Sequence, residues 1–344
     1  MKKLSILFVS SLLSVSLFAK YSNGQGEVFI TRNSFPASSI KEIETNTTGG
    51  SIIINGDAGS KATVEVYVSH DNWSDEKIKQ TYEENYTVDI KAENGKLYAT
   101  VKLKENMSNG DQNGVNVSLK ISVPKQLNSN LQTVGGDISI SNLSGSQNFN
   151  TVGGSLKIEN VSDNIVGSTV GGSVTIKNCN GKIDLNTTGG NIDLSNLEGN
   201  INTSNIGGSI TANAVSGTLK VNGMNGNINL DNISGNLEAS TFSGSLDVKM
   251  ASVSDFVKIS NNGNISLSLP AGKGYNLHVE ANNVETNGLK NFHGTKESNK
   301  IEGTVGNGGS EITATSSMEV ERVDENGNTT NKKSSSGSIR LSFE

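Results

Sequence analysis

A single cysteine, Cys179, stands in a chain of 344 residues, so neither an intrachain disulfide nor a CxxC pair can form. The three histidines, His70, His278 and His293, have no partner at a metal-ligand spacing and read as surface or loop residues. Arginine is absent between Arg32 and Arg322, no basic cluster occurs, and the formal charge is -6, which argues against nucleic acid. After residue 18 no apolar run is long enough to span a bilayer. The three prolines, Pro36, Pro124 and Pro270, read as boundaries, because proline cannot donate to a strand ladder. Aromatics at 5% and apolar residues at 33% are too few for a thick core, but thin stacked coils need no more.

What the chain does hold is a repeat. From Gly136 a nine-residue unit recurs thirteen times without a gap (GDISISNLS, GSQNFNTVG, GSLKIENVS and onward), and twelve first positions are Gly, with Asp163 the exception. A fixed period of this kind marks a stacked architecture. The third residue is apolar in every copy but Gln147, and the fifth is mostly apolar, as in Ile138 and Ile140, with a small polar residue between. That is the period of a half-buried strand.

The eighth residue is apolar again (Leu143, Val152, Val161, Val170, Cys179), but three places beyond the fifth, so a bend is required if it too points inward. The bend falls on the seventh position, where Asn142, Asn160, Asn178 and Asn196 alternate with Thr151, Thr169 and Thr187 until the alternation fades at Asn205, where Thr is due. Asn tolerates the left-handed conformation, and Gly at the next unit's start is expected to take positive φ. The alternation sets a higher period of eighteen, two nine-residue sides per coil, although a three-sided coil of twenty-seven stays open. Stacked coils would place Asn above Asn in amide ladders, and roughly six coils at about 4.8 Å make a rod of about 30 Å.

Met1, Lys2 and Lys3 followed by an apolar stretch to Phe18 read as a signal peptide, residues 1–19, cleaved after Ala19. The chain is then expected to be exported and periplasmic, surface-borne or secreted, with no integral membrane segment. Residues 20–125 read as an N-terminal β-rich cap with one short helix at 75–86, capped by Ser74. Within it, 40–56 reads as two strands around a Gly turn at Gly50. Strands are expected at 63–69, 86–92, 96–104 and 116–123, with a turn at 109–114. Residues 126–252 are the solenoid and 253–344 a C-terminal β region and cap. There the period slips by one residue after Ala251. Strands are expected at 264–269, 275–281, 300–304, 311–314 and 337–344, with an exposed loop at 324–336. Caps are needed because an open terminal coil offers strand edges that polymerise.

The stretches VSLKISVPKQL from Val117, LQTVGGDISI from Leu131, the Gly-Asn-Ile and Gly-Ser-Leu rungs, and LSLPAG from Leu267 resemble the bacterial putative-adhesin domain of unknown function. That family is akin to the head domains of putative autotransporter adhesins. The likeness runs from about Ile40 to the C-terminus. It implies a β-solenoid and an adhesin-like role, and it carries over no functional residues. Without a C-terminal membrane barrel, the chain departs from an autotransporter.

An enzyme of the polysaccharide-lyase or glycosidase type is the alternative, since long β-helices host such sites; it needs clustered carboxylates on neighbouring coils. Asp184 and Asp193 are the acids it would call on, and the outward fourth positions stack no two acids on adjacent coils. A Gly-rich phosphate loop would open a helix, and no helix follows these glycines. Calcium-binding nonapeptide turns need a regular Asp that is missing, and an ice-binding face needs a second threonine row beside Thr133, Thr151, Thr169 and Thr187. His70, Asp71 and Trp73 form one polar-aromatic knot, in which the only Trp is expected to pack rather than to stack on a sugar. The expectation is an all-β, parallel β-solenoid of nine-residue half-coils, about 18 residues per coil, with β caps at both ends. It is non-catalytic, without metal or cofactor, and binds a glycan or protein ligand at residues that the pattern leaves unknown.

Overall fold

The structure is a computed structural model that describes residues 26–56, 59–104, 114–316, 318–323, 329–334 and 337–344. The signal-peptide stretch and most of the 109–114 turn lie outside the described residues. The first part runs β1 (Glu27–Pro36), a 3-10 turn (Ala37–Ser39), β2 (Glu42–Thr47), β3 (Ile52–Gly56), β4 (Lys61–Ser69), α1 (Asp75–Asn85), β5 (Tyr86–Glu93), β6 (Lys96–Leu103) and β7 (Asn116–Val123). Alternation decides the strands: Ala62, Val64, Val66 and Val68 are all fully buried along β4. The Ser74 hydroxyl accepts the Lys77 amide at 3.4 Å and Asp75 and Glu76 fill the first turn, so α1 starts where an N-cap and the helix dipole favour it. It buries one residue, Ile78, against β1, β4 and β5.

The repeats form β8 (Asn128–Thr133), β9 (Ile138–Ser141), β10 (Ser144–Asn150), β11 (Leu156–Glu159), β12 (Ser162–Thr169), β13 (Val174–Thr187), β14 (Ile192–Asn205), β15 (Ile210–Asn225), β16 (Ile228–Ser243) and β17 (Leu246–Asn261). Pairing is parallel with a spacing of 18: Val174 lies against Ile192, which lies against Ile210, and Ile183 against Ile201 and then Leu219. The coil therefore has two sides. A front sheet stacks β2, β8, β10, β12 and the second halves of β13–β17, and a back sheet stacks β3, β9, β11 and their first halves. The third and fifth residues of the units meet between the sheets as the core, with Ile165, Ile183, Leu185, Ile192 and Ile210 fully buried.

The two corners differ, and here the expectation of one bend for Asn and Thr alike fails. In the corner from back to front, Asn142, Asn160, Asn178 and Asn196 take φ of 53–57°, and the next residue (Leu143, Val161, Cys179, Leu197) turns inward to at most 3% exposure. The amides ladder as expected: Asn160 donates to Asn142 and Asn196 to Asn178, each at 3.1 Å. In the corner from front to back it is the threonine that points inward, buried to 4–5% at Thr133, Thr151, Thr169 and Thr187. Each of Thr151, Thr169 and Thr187 donates to a glycine carbonyl of the coil below at 2.7–2.8 Å, and Thr151 and Thr169 accept the amide three residues on. The apolar residue after the threonine is thereby driven outward. Nor do the first-position glycines of this corner owe their identity to positive φ between Gly136 and Gly208. A Cβ at Gly172 would stand 2.0 Å from the Gly154 carbonyl oxygen, so close backbone approach excludes any side chain.

Beyond β17 follow β18 (Ile265–Leu269), β19 (Tyr275–Glu280), β20 (Asn283–Asn287), β21 (Phe292–Lys296), β22 (Lys300–Val305), β23 (Ser310–Ser316), β24 (Met318–Val323), β25 (Thr329–Ser334) and β26 (Ser338–Phe343). The slip is one residue on the back sheet, where Leu246 meets Ile265, but two on the front, where Leu237 meets Val257. β1, β20, β21 and β24 have no counterpart among the expected strands. β25 pairs with β24 in a hairpin where a loop was expected at 324–336; residues 324–328 and 335–336 lie outside the described residues.

Both ends are interleaved. At the first, β2 and β3 lie directly under β8 and β9; the chain then moves out to β4 and β5 before β6 and β7 return to fill the layer between. At the other, β19 and β20 are laid down one layer too far, and β23 and β26 come back to close the gap against β17 and β18. Antiparallel β22 and β21 finish the front sheet there.

Two core exceptions explain themselves by their neighbours one coil away. Gln147 is fully buried, accepting from the Ser129 hydroxyl at 2.6 Å and donating to the Leu127 carbonyl at 2.7 Å. Gly167 stands where an apolar fifth residue is due because the Phe149 ring below it fills that space; a Cβ there would lie 2.2 Å from Phe149 Cε2. Gly167→Val should therefore lower the melting temperature sharply and Phe149→Val should recover much of it, with a coupling of about 1–3 kcal/mol in a double-mutant cycle. Additive losses would contradict the packing.

Ile192, fully buried, and its exposed neighbour Asp193 give a second test of the inward assignment. Ile192→Asp should unfold the rod, at a cost of several kcal/mol for a buried unpaired charge, whereas Asp193→Asn should leave the melting curve in place.

Candidate contact surface

The corner from front to back sets the chemistry of one whole edge of the rod. At this corner the side chains of Thr133, Thr151, Thr169, Thr187, Asn205 and Thr241 are drawn inward by hydrogen bonds to a glycine carbonyl, and Gly223 carries no side chain. The residue after each of these seven stands out: Val134, Val152, Val170, Thr188, Ile206, Met224 and Phe242, each 18 residues from the last. The six apolar members are 47–61% exposed. At about 4.8 Å per coil they form a straight ridge about 29 Å long. Exposed glycines follow the ridge residue in five coils, Gly135, Gly153, Gly171, Gly189 and Gly207, so a flat furrow of backbone runs beside it.

The rows bordering the ridge are polar and almost without charge. On the front side Asn150 and Ser168, Asn186 and Ser204, and Asn222 and Ser240 alternate, and each serine hydroxyl donates to the asparagine below at 2.5–3.0 Å. On the back side Asp137, Ser155, Ser173 and Asn191 each accept the backbone amide of the matching residue one coil on, at 2.7–3.2 Å. Asp137 is the one charged member of these two rows. Further across the front sheet Lys220 and Glu238 pair at 3.1 Å, an exposed contact of little energetic weight.

The remaining candidates are scattered. Asp184 lies on the front sheet between Val166 and Asn202 and accepts from Asn186 and Asn202; Asp193 lies on the back sheet between Thr175 and Thr211. The pair the enzyme alternative calls on is thus split between opposite faces. The threonine row proposed for ice is buried. Trp73 packs against the core with His70 stacked on it at 3.9 Å and Lys77 over its ring at 3.7 Å. His278 and His293 are exposed strand residues of β19 and β21, opposite Glu302 and Thr304 of β22, rather than loop residues. Burial pushes the Cys179 thiol up to about 11, so it stays protonated and inert at neutral pH. Among the described residues no three His, Cys, Asp or Glu side chains are gathered closely enough to hold a metal ion. An open cleft of about 230 Å³ beside the register slip, lined by Asp231, Lys249, Met250, Pro270 and Glu344, is smaller than the usual small-molecule site.

The ridge is the feature that the nine-residue pattern does not disclose, because hydrophobicity alone gives the apolar residues after Asn and after Thr the same inward role. As far as Thr187 the signal that separates them is in the chain, Thr-Val-Gly-Gly or its variant at one corner and Asn-Leu-Ser-Gly-like sequences at the other; at Asn205, whose amide reaches inward to the Gly190 carbonyl, residue type no longer tells the corners apart. A hydroxyl that can reach back to a glycine carbonyl needs to be inside; an amide in the left-handed conformation does not.

A family model described as Toastrack DUF4097 matches residues 34–319. Among solved structures the chain is similar to a putative adhesin from Parabacteroides distasonis ATCC 8503, with 14% identity over 92% of this chain and 98% of that one and a TM-score of 0.41. It is also similar to a putative adhesin from Parabacteroides merdae ATCC 43184, with 17% identity over 72% and 90% and a TM-score of 0.39. A putative lipid binding protein from Parabacteroides distasonis ATCC 8503 aligns at 13% identity over 93% and 97%, with a TM-score of 0.37. No curated protein matches the chain.

The difference between the corners predicts opposite responses to one substitution. Val161→Asn, at 1% exposure, should lower the melting temperature by at least about 5 °C, because a buried amide without partners costs a few kcal/mol. Val152→Asn, at 52% exposure, should leave it within about 1 °C. Equal losses at the two sites would restore a single inward role.

Proposed function

The chain belongs to the Toastrack DUF4097 family, and from that membership and the surface of its coils we propose an exported, non-catalytic, adhesin-like rod that binds or scaffolds in the bacterial cell envelope. One observation carries the reading. Along the coils the outward polar side chains hydrogen-bond to their own counterparts one coil away, so they form extended arrays instead of converging on a point where a bond could be broken. A surface of that kind suits contact along its length with a glycan or another protein. The charged and apolar start of the chain supports export, and among the described residues no helix is long and apolar enough to cross a membrane.

The test is fractionation of cells carrying an epitope in the 324–328 connection, with intact-mass measurement of the recovered protein. A chain starting after Ala19 outside the cytoplasm is the expected result. Protease added to intact cells then separates a surface position, in which the epitope is lost, from a periplasmic one, in which it survives until lysis. Recovery from the cytosol with residues 1–19 intact would overturn export, and turnover of an envelope polysaccharide by the purified chain would overturn the non-catalytic role.

A further inference from the structure

The ridge tapers. Its first three members are valines, its centre is Thr188, and its last three grow from Ile206 through Met224 to Phe242. We propose that it is the contact between two copies of this chain lying side by side and antiparallel, with a two-fold axis through Thr188. In that arrangement Val134 faces Phe242 of the second copy, Val152 faces Met224 and Val170 faces Ile206, so each small residue meets a large one. The separation of the rods is then even along the contact. A parallel pair would set valine on valine at one end and phenylalanine on phenylalanine at the other, and would splay.

Three further observations favour a second copy over another partner. A second copy presents its ridge at the same coil spacing, so each residue of one ridge meets one residue of the other along the whole contact. The bordering rows hold a single charge, Asp137, and the antiparallel arrangement puts the two Asp137 residues at opposite ends, so the surface is complementary to itself without repulsion. The area also suffices. A strip about 29 Å long, taking in the ridge, the furrow and one row on either side at about 15–20 Å across, buries about 500 Å² per copy, or about 1,000 Å² in all. That is the lower bound for a specific interface. The contact is isologous and closes at two copies, so it does not lead to fibres. It does not depend on where the chain works.

Sedimentation equilibrium of the purified chain from about 1 to 100 µM tests it, a range that reaches the weak association of a contact near the lower bound of specific interfaces. Twice the chain mass is expected at the upper concentrations. Val152→Asn combined with Met224→Asn should weaken association about 100-fold while the melting temperature holds, which separates loss of contact from loss of fold. Under mild oxidation Thr188→Cys should form a disulfide-linked dimer. Val134→Cys should not link to itself but should link to Phe242→Cys when the two are mixed. A monomer at 100 µM, whatever else the ridge proves to bind, overturns the proposal, and so does self-linking of Val134→Cys as readily as Thr188→Cys.

Discussion

Every part of this structure depends on the backbone of one coil lying against the backbone of the next. At Gly154, Gly172 and Gly190 a Cβ would stand 1.9–2.1 Å from the carbonyl oxygen of the glycine 18 residues earlier, so the coils can close up only where nothing projects. Once they have closed up, the neighbours of any side chain are the residues 18 before and 18 after it. Selection at each position then acts on columns rather than on single sites. Inside, columns fill with Ile, Leu and Val, and a departure in one coil is answered in the next, as Phe149 is by Gly167 and Gln147 by Ser129. Outside, columns fill with small polar residues that bond to one another or to the next coil's amide, and the polar surface stiffens the stack it covers.

A stack of parallel strands has no natural end, and an unfinished coil is a template for more of itself. The interleaving at both termini meets that hazard. By setting β4 and β5 one layer out and then returning with β6 and β7, the chain makes its outermost strands antiparallel, and α1 seals the core with Ile78. The far end repeats the interleaving with β19, β20, β23 and β26, and on the front sheet antiparallel β22 and β21 stand outside β19. A coil held from both sides by segments distant in sequence cannot peel off alone. The same long-range pairing raises the contact order of the chain.

How much of this the residues disclose follows from how local each cause is. The inward third and fifth positions and the asparagine ladder rest on a period within one or two units and are legible; the alternation of Asn and Thr favours two sides per coil but fades at Asn205, and the pairing at a spacing of 18 decides it. The helix at α1 announces itself through Ser74 and the acids after it. The interleaved ends are not legible, because whether β3 lies beneath β9 or β7 depends on pairing across tens of residues, and Ile52 meets both Ile138 and Leu119. The eighth position falls between these cases. Its apolar character is plain, but its direction depends on whether the residue before it is a threonine drawn inward by a glycine carbonyl or an asparagine in the left-handed conformation. Hydrophobicity alone treats Val152 and Val161 as equals; the hydrogen bond of Thr151 makes them opposites.

The ridge is therefore not a by-product of folding. The corner needs Thr151, Thr169 and Thr187 inside and Gly154, Gly172 and Gly190 against the coil below, but it places no demand on the residue that points away. Thr188 occupies that place, and coils on either side of it fold with the same corner hydrogen bonds. The rows on either side of it are filled with small polar residues that bond from coil to coil. Six of the seven ridge positions are instead Val, Ile, Met or Phe, graded in size along the rod. Apolar surface kept in line over about 29 Å in water, against no demand from the fold, is explained by something outside the chain that covers it.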